Sequence, residues 1–416
     1  MPDERPAWAI RLRNERRRRL WSQDDLAQEM EKAAKRNSRL SSSLPKRSSI
    51  LRRIRDYEAG THQPHDPYRI LYCLVFDMDE AELFGNTPAQ QGRTPADVLR
   101  ELMRETDPLR RFPSHGGRQL GIGNISDLAA RVHALRLADD VLAGGDLVQP
   151  AFREFNAAVR LYRTSTFTED VGRSLLGAIG EFGQIAGWVA SDAGMHKQAT
   201  DAYRLGISAA REAGDKTLES NLIGSLAYQV SNIGDLEEAV ALAYAALEVA
   251  GPHAPPRARA LSWDRVAWAH ARSGDAQMTV RALGEAETAL AEHSDEDEPG
   301  YLYWVNAGEL QVMEARAYTE LRRPLRAVPI LTDVLARYDA THTRELALYL
   351  SWLAVALADA NEPEEAADAA VHMLDLSTDV ASDRTAKRAQ VVRARLEPYS
   401  DVSAVRKVLA NQQWCA

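Results

Sequence analysis

The groups best suited to chemistry in this 416-residue chain are guanidiniums. From Lys46 to Glu58 the sequence K-R-S-S-I-L-R-R-I-R-D-Y-E sets Ile50, Ile54 and Tyr57 at helical spacing as a buried face and leaves Arg47, Arg52, Arg53 and Arg55 elsewhere. A planar guanidinium neutralises phosphate, or bonds O6 and N7 of one guanine together. A helix of this kind suits a DNA groove.

A second set lies far downstream. Trp188, Tyr228 and Trp268 recur every 40 residues, flanked at matching offsets by Gln184, Gly224 and Asp264 and by Glu181, Asn221 and Leu261. Aromatic faces beside amides and carboxylates suit a peptide backbone or a mid-sized amphipathic effector. The competing reading makes the aromatics core between helices. Trp304, Asn306 and Glu309 form a weaker third set.

Catalytic chemistry has little support. The ten histidines are scattered, with no HExxH, Walker loop or nucleophile elbow. His62 and His65 sit in a Pro-containing turn without ligating partners, and Glu237-Glu238 and Glu364-Glu365 begin helices, where the dipole explains them. The G-I-G of Gly121–Gly123 follows no plausible strand and is not a dinucleotide loop. Cys73 and Cys415 cannot build a disulfide framework. The expectation is a protein that is not an enzyme and uses no metal and no cofactor. With no leader and no apolar run longer than Ala239–Leu247, it is expected to be cytoplasmic, nucleoid-associated and off the membrane.

Charge is unevenly distributed. Arg5–Arg55 holds 16 Lys and Arg against 5 Asp and Glu, a local +11 that leaves −20 on the rest of a chain whose total is −9. A cationic module on an acidic body is the footprint of a regulator that binds DNA through one end. Abundant Ala and Leu with few Phe point to an all-α class.

The elements that must position the arginines can be read locally. Residues 7–19 suggest a first helix anchored by Trp8, Leu12 and Ile10. Ser22 caps a second, with Asp24 and Asp25 in its first turn and Leu26, Ala27 and Met30 inward. Lys35–Pro45 is a long serine-rich loop, and Gly60 stops the basic helix. Tyr68–Phe76 and Asp79–Phe84 close the core. Asn86–Thr94 reads as a hinge, and Thr94 with Pro95 opens a helix to Arg104.

The S-Q-x-x-L-A of Ser22–Ala27, the Y-E-x-G of Tyr57–Gly60, Pro64 and the M-D-E-A-E-L-F of Met78–Phe84 together resemble the Cro/CI-like (XRE) helix-turn-helix family, over about residues 7 to 85 and in a variant with an elongated second loop. The resemblance implies that Gln23 contacts phosphate, that Arg52, Arg55 and Asp56 face the bases, and that Arg16 pairs with Glu58. The long loop leaves open whether Arg47 and Arg53 read bases or touch phosphate instead. Binding of double-stranded DNA by such a domain implies a homodimer, since one recognition helix contacts few bases.

The second half repeats. Turn marks at Gly194, Gly234, Gly274, Arg323 and Asn361 are spaced 40, 40, 49 and 38 residues, and five residues after each stands Ala199, Ala239, Thr279, Val328 or Ala366. Small residues there let paired helices approach. The acidic stretch Ser294–Glu298 widens one interval and reads as a solvated insertion. The pattern resembles a tetratricopeptide array, and the whole resembles actinomycete-type regulators, with L-A-D-D-V-L-A-G-G-D-L (Leu137–Leu147) and W-V-A-S-D-A-G (Trp188–Gly194) fitting that group. The expected layout is therefore all-α: a helix-turn-helix domain at 1–85, a linker with a short helix at 86–124, and a TPR-like α-solenoid at 125–416 for effector or partner binding and dimerisation. The expected function is sequence-specific transcription regulation controlled by a peptide or small-molecule effector. The alternative is a tetratricopeptide adaptor that the basic module anchors to DNA without reading sequence.

Overall fold

The computed structural model describes residues 6–19, 21–36, 47–76, 78–84, 94–95, 97, 109, 119–141, 144–292, 298–337, 343–377, 383–411 and 414. Every regular element among them is helical, apart from one isolated parallel bridge between Gln119 and Thr166. No described helix is long and apolar enough to cross a membrane. The chain forms two compact units, residues 1–92 and 93–416.

The first unit contains α1 (Ala7–Arg18), α2 (Gln23–Arg36), α3 (Arg47–Glu58), α4 (Tyr68–Phe76) and α5 (Glu80–Phe84). Helix α2 starts where it does because Ser22 and Asp25 cap each other. The Asp25 amide donates to Ser22 Oγ at 3.1 Å, and the Ser22 amide and hydroxyl both donate to Asp25 Oδ2 at 2.7 Å. These bonds hold the Asp25 carboxyl below its usual pKa. Helix α3 ends at Gly60, whose φ of 76° is left-handed. Leu12, Leu26, Met30, Ile50, Ile54 and Tyr57 are fully buried, joined by Tyr72 and Phe76 of α4. On α1 the inward positions are Ala9 and Leu12, and the expected anchors Trp8 and Ile10 are only half-buried. The serine-rich loop from 37, the hinge at 86–93, Cys415 and most of the helix expected from Thr94 lie outside the described residues. Thr94 does hold its capping partner Asp97, hydroxyl to carboxylate at 2.7 Å.

The second unit is a row of antiparallel helical hairpins. After α6 (Ile122–Val141) and α7 (Gly144–Thr164) come the pairs α8 (Glu169–Asp192) with α9 (His196–Ala213), α10 (Lys216–Ile233) with α11 (Leu236–Ala250), α12 (Pro256–Arg272) with α13 (Ala276–Ala291), α14 (Ala307–Glu320) with α15 (Pro324–Arg337) and α16 (Thr343–Asp359) with α17 (Pro363–Ser377). Helices α18 (Asp383–Leu396) and α19 (Ser403–Leu409) follow. All five turn marks fall between the helices of a pair. Gly194, Gly274 and Asn361 have left-handed φ of 77°, 78° and 64°, whereas Gly234 is extended at 178°.

In the fourth pair the left-handed residue is Arg322, φ 52°, so the mark belongs one residue before Arg323. The register of the small residue moves with it. Ala327 is fully buried while Val328 is half-buried; Ala199, Ala239, Thr279 and Ala366 are fully buried as expected. Close approach is greatest between α8 and α9, where a Cβ on Gly183 would come within 3.0 Å of Gly206 Cα.

The wide third interval contains the acidic stretch Ser294–Glu298, expected to be a solvated insertion, of which only Glu298 is described. Residues 293–297 lie outside the described set, but Glu298 is half-buried and pairs with Arg257 at 3.2 Å, and Tyr301, Leu302 and Val305 enter the core. The segment returns to the body because its apolar side chains find cover there.

Candidate functional site

Two surfaces, one in each unit, gather the residues singled out above. On α3 the core face fixes the orientation of the rest. Ile50, Ile54 and Tyr57 point inward, so Arg52 and Arg55 stand on the opposite, exposed side, with Arg53 and Asp56 half-buried between. Arg52, Arg53 and Arg55 make no hydrogen bond or ion pair to a described residue. Arg47 is turned back to Asp24 of α2, with Nη2 2.7 Å from Oδ2.

Behind this face Arg16 grips Glu58 through two parallel hydrogen bonds, Nε to Oε1 at 2.6 Å and Nη2 to Oε2 at 2.7 Å. Both side chains are buried, and the contact raises the Arg16 pKa above its already high value. Gln23 does not reach outward; its amide donates to Glu58 Oε2 at 2.9 Å. Contact with a phosphate would require Gln23 to leave that carboxylate, whereas Arg52 and Arg55 need no rearrangement.

In the second unit the first helices of successive hairpins line one cavity of about 420 Å³. Gln184 and Trp188 of α8, Asn221 and Tyr228 of α10, and Glu309 of α14 are on its wall, as are Trp304 and Asn306 from the wide interval. Helix α6 supplies Arg136, Asp139 and Asp140, and α16 supplies Glu345, Leu348 and Tyr349. The cavity lies in the size range of small-molecule sites.

Trp188, Tyr228 and Trp268 form a continuous aromatic column. Trp188 and Tyr228 stack with centroids 5.7 Å apart and planes 27° from parallel, and Tyr228 meets Trp268 at 6.0 Å. The structure divides these rings between the two readings. Trp188 and Tyr228 reach the wall, but Trp268 is 5% exposed, behind the wall, with its indole N–H donating to Asn232 Oδ1 at 3.2 Å. Asp264 is likewise off the wall. It is buried beside Arg265, 3.2 Å from Nη1, and burial raises its pKa against the opposing pull of Arg265 and Arg316. Gly224 and Leu261 lie behind the wall as well, and Glu181 half-buries against Arg136 at 2.7 Å.

Several wall residues were not singled out from the sequence: Arg136, Tyr301, Tyr303, Arg265, Arg316 and Tyr349. Tyr303 donates to Asp140 Oδ2 at 2.6 Å, tying the wide interval to α6 across 163 residues. The Tyr349 hydroxyl lies 2.8 and 3.0 Å from the two oxygens of Glu309. Arg316 had a signal. Once Arg322 is taken as the turn mark, Arg316 stands six residues before it, in the row of Trp188, Tyr228 and Trp268. Its guanidinium lies 4.7 Å from the Trp268 centroid and 5.3 Å from that of Trp352.

Among the described residues no group of three or more His, Cys, Asp or Glu is placed to hold a metal ion. Compared with protein-family models and with curated proteins, the chain matches none.

Proposed function

We propose that this chain is a DNA-binding transcriptional regulator of the helix-turn-helix type, with the α2–α3 pair as the reading element and the cavity of the tetratricopeptide-like second unit as the site of an effector. The observation that carries the reading is the arrangement on α3. Arg52 and Arg55 are exposed and free of described partners on the side away from the core, and Arg16 and Glu58 brace that helix from behind. Exposed arginines on a rigid helix within a +11 segment suit guanine edges and phosphates. The protein acts as a homodimer, because one such helix spans too few base pairs to select a site. Effector control follows from unequal binding of the ligand to two arrangements of the DNA-binding heads.

Binding sites selected from random duplexes, then titrated with salt beside scrambled duplexes, test this reading. A gap between selected and scrambled DNA that persists at physiological salt supports it. Parallel, steep salt dependence on both duplexes overturns it in favour of an adaptor held on DNA by charge alone.

A further inference from the structure

The polar groups of the cavity wall are satisfied unequally. Three buried wall atoms have no hydrogen-bond partner, and all three can donate: Nη2 of Arg136, the hydroxyl of Tyr301 and Nε of Arg316. The acceptors are better served. Asp140 takes the Tyr303 hydroxyl and Glu309 takes that of Tyr349, and the other two carboxylates of the wall, Asp139 and Glu345, also have partners. Donors left without acceptors are completed by a ligand that brings them.

Arg316 is the focus of the imbalance. It is 8% exposed, and its one hydrogen-bond acceptor is the Tyr228 hydroxyl, 2.5 Å from Nη2. No described carboxylate comes within ion-pair distance of it. Arg136 has Glu181 and Arg265 has Asp264 as ion-pair partners, whereas Arg316 has the Tyr228 hydroxyl, the faces of Tyr228, Trp268 and Trp352 and a longer-range attraction to Asp264. Asp264, Arg265 and Arg316 together hold two positive charges and one negative in a buried neighbourhood. A buried cation without a carboxylate in contact is costly, and an anion reaching it gains a charge-assisted, two-pronged bond. Ile185, Met313, Leu348, Trp188 and Trp304 give the same wall an apolar and aromatic part, beside the carboxylates Asp139, Asp140, Glu309 and Glu345.

We propose that the cavity binds an amphipathic organic acid, its carboxylate or phosphate held by Arg316 and its apolar body lying against Trp188, Ile185 and Met313. This rests on the reading of the cavity as an effector site and names the ligand's chemistry.

The test uses the full chain without DNA and a panel of aromatic and alkyl carboxylates and monophosphates. Each acid is run beside the primary amide or alcohol and the amine of the same body, with thermal shift and calorimetric titration as readouts. The expected result is that at least one acid raises Tm, its neutral and cationic counterparts bind roughly tenfold or more weakly, and the carboxylate and phosphate arms identify the head group. Arg316→Gln abolishes the preference for the acid and Arg316→Lys restores part of it. Since Arg316→Gln alters a buried contact and so stability as well, the acid-against-amide comparison on the unaltered chain decides independently of any variant. Silence across the acid panel, equal binding of the amines, or an acid preference that survives in a folded Arg316→Gln protein each overturns the proposal. An acid that binds without altering DNA affinity leaves the ligand class standing and removes the regulatory reading instead.

Discussion

Arg16 and Glu58 are joined fork to fork, at 2.6 and 2.7 Å, with side chains 11% and 4% exposed. The pair spans α1 and α3, and Glu58 also accepts from Gln23 at the start of α2, so one carboxylate ties three helices behind the basic face. Replacing either partner strands a buried charge. Arg16→Ala or Glu58→Ala is expected to destabilise the first unit by about 3 kcal/mol, read by urea unfolding through Trp8 and Trp21 fluorescence. A change below the error of that measurement removes the brace from the account.

The exposed arginines of α3 should separate reading from charge. Arg52→Ala and Arg55→Ala are expected to cost about 1–3 kcal/mol on a selected DNA site and to relax base preference at one position each. Arg47→Ala, whose partner is Asp24, is expected to lower affinity evenly across sequences. Competition binding with single-base variants of the site reads the difference.

Glycines along α8 differ in what faces them. At Gly183 an added Cβ would lie 3.0 Å from Gly206 Cα and 3.1 Å from the Ala202 carbonyl, both backbone atoms that cannot move aside; at Gly177 it would meet nothing within 4 Å. Gly183→Ala is expected to destabilise the second unit by about 1–3 kcal/mol. Gly177→Ala is expected to stabilise it by about 0.5–1 kcal/mol through helix propensity alone. Thermal unfolding of the two variants should therefore move in opposite directions.

His270, buried on α12 with Nε2 3.1 Å from the Tyr244 hydroxyl, has its pKa lowered by burial against a weaker opposing pull from Asp275. The native state takes up this proton less readily than the unfolded chain. The stabilisation from keeping it neutral is present above the ordinary imidazole pKa and is lost as pH falls through that value toward the native one. His270→Gln should narrow its Tm deficit relative to the unaltered protein between pH 7.5 and pH 5. A deficit that stays constant with pH excludes the linkage.

Much of the helical framework was open to a reading of the sequence because its signals are local. Ser22 with Asp25, the glycines at 60, 194 and 274, and the spacing of Ile50, Ile54 and Tyr57 each act within a turn or two of their own position. The 40-residue recurrence of Trp188, Tyr228 and Trp268 was legible for a related reason, since equal repeats carry equal offsets to the same side of each hairpin. Legibility failed where the repeat changed length. Arg322 adopts the left-handed conformation usually left to glycine, so nothing in its identity marks the turn or the place of Arg316 six residues before it.

The α3 stretch thus reached its orientation from sequence alone. The chain's own pattern determined that it folds as helices, which face of α3 is buried, and that a run of hairpins follows. Only the tertiary structure decided that Gln23 turns to Glu58, that Trp268 and Asp264 sit behind the wall while Trp188 and Tyr228 line it, and that Tyr303 closes onto Asp140 from 163 residues away. The reason is physical. Caps, stops and amphipathic spacing are paid within one helix, whereas burial, the pairing of charges and the stranding of a donor such as Arg316 depend on which distant side chains packing brings alongside.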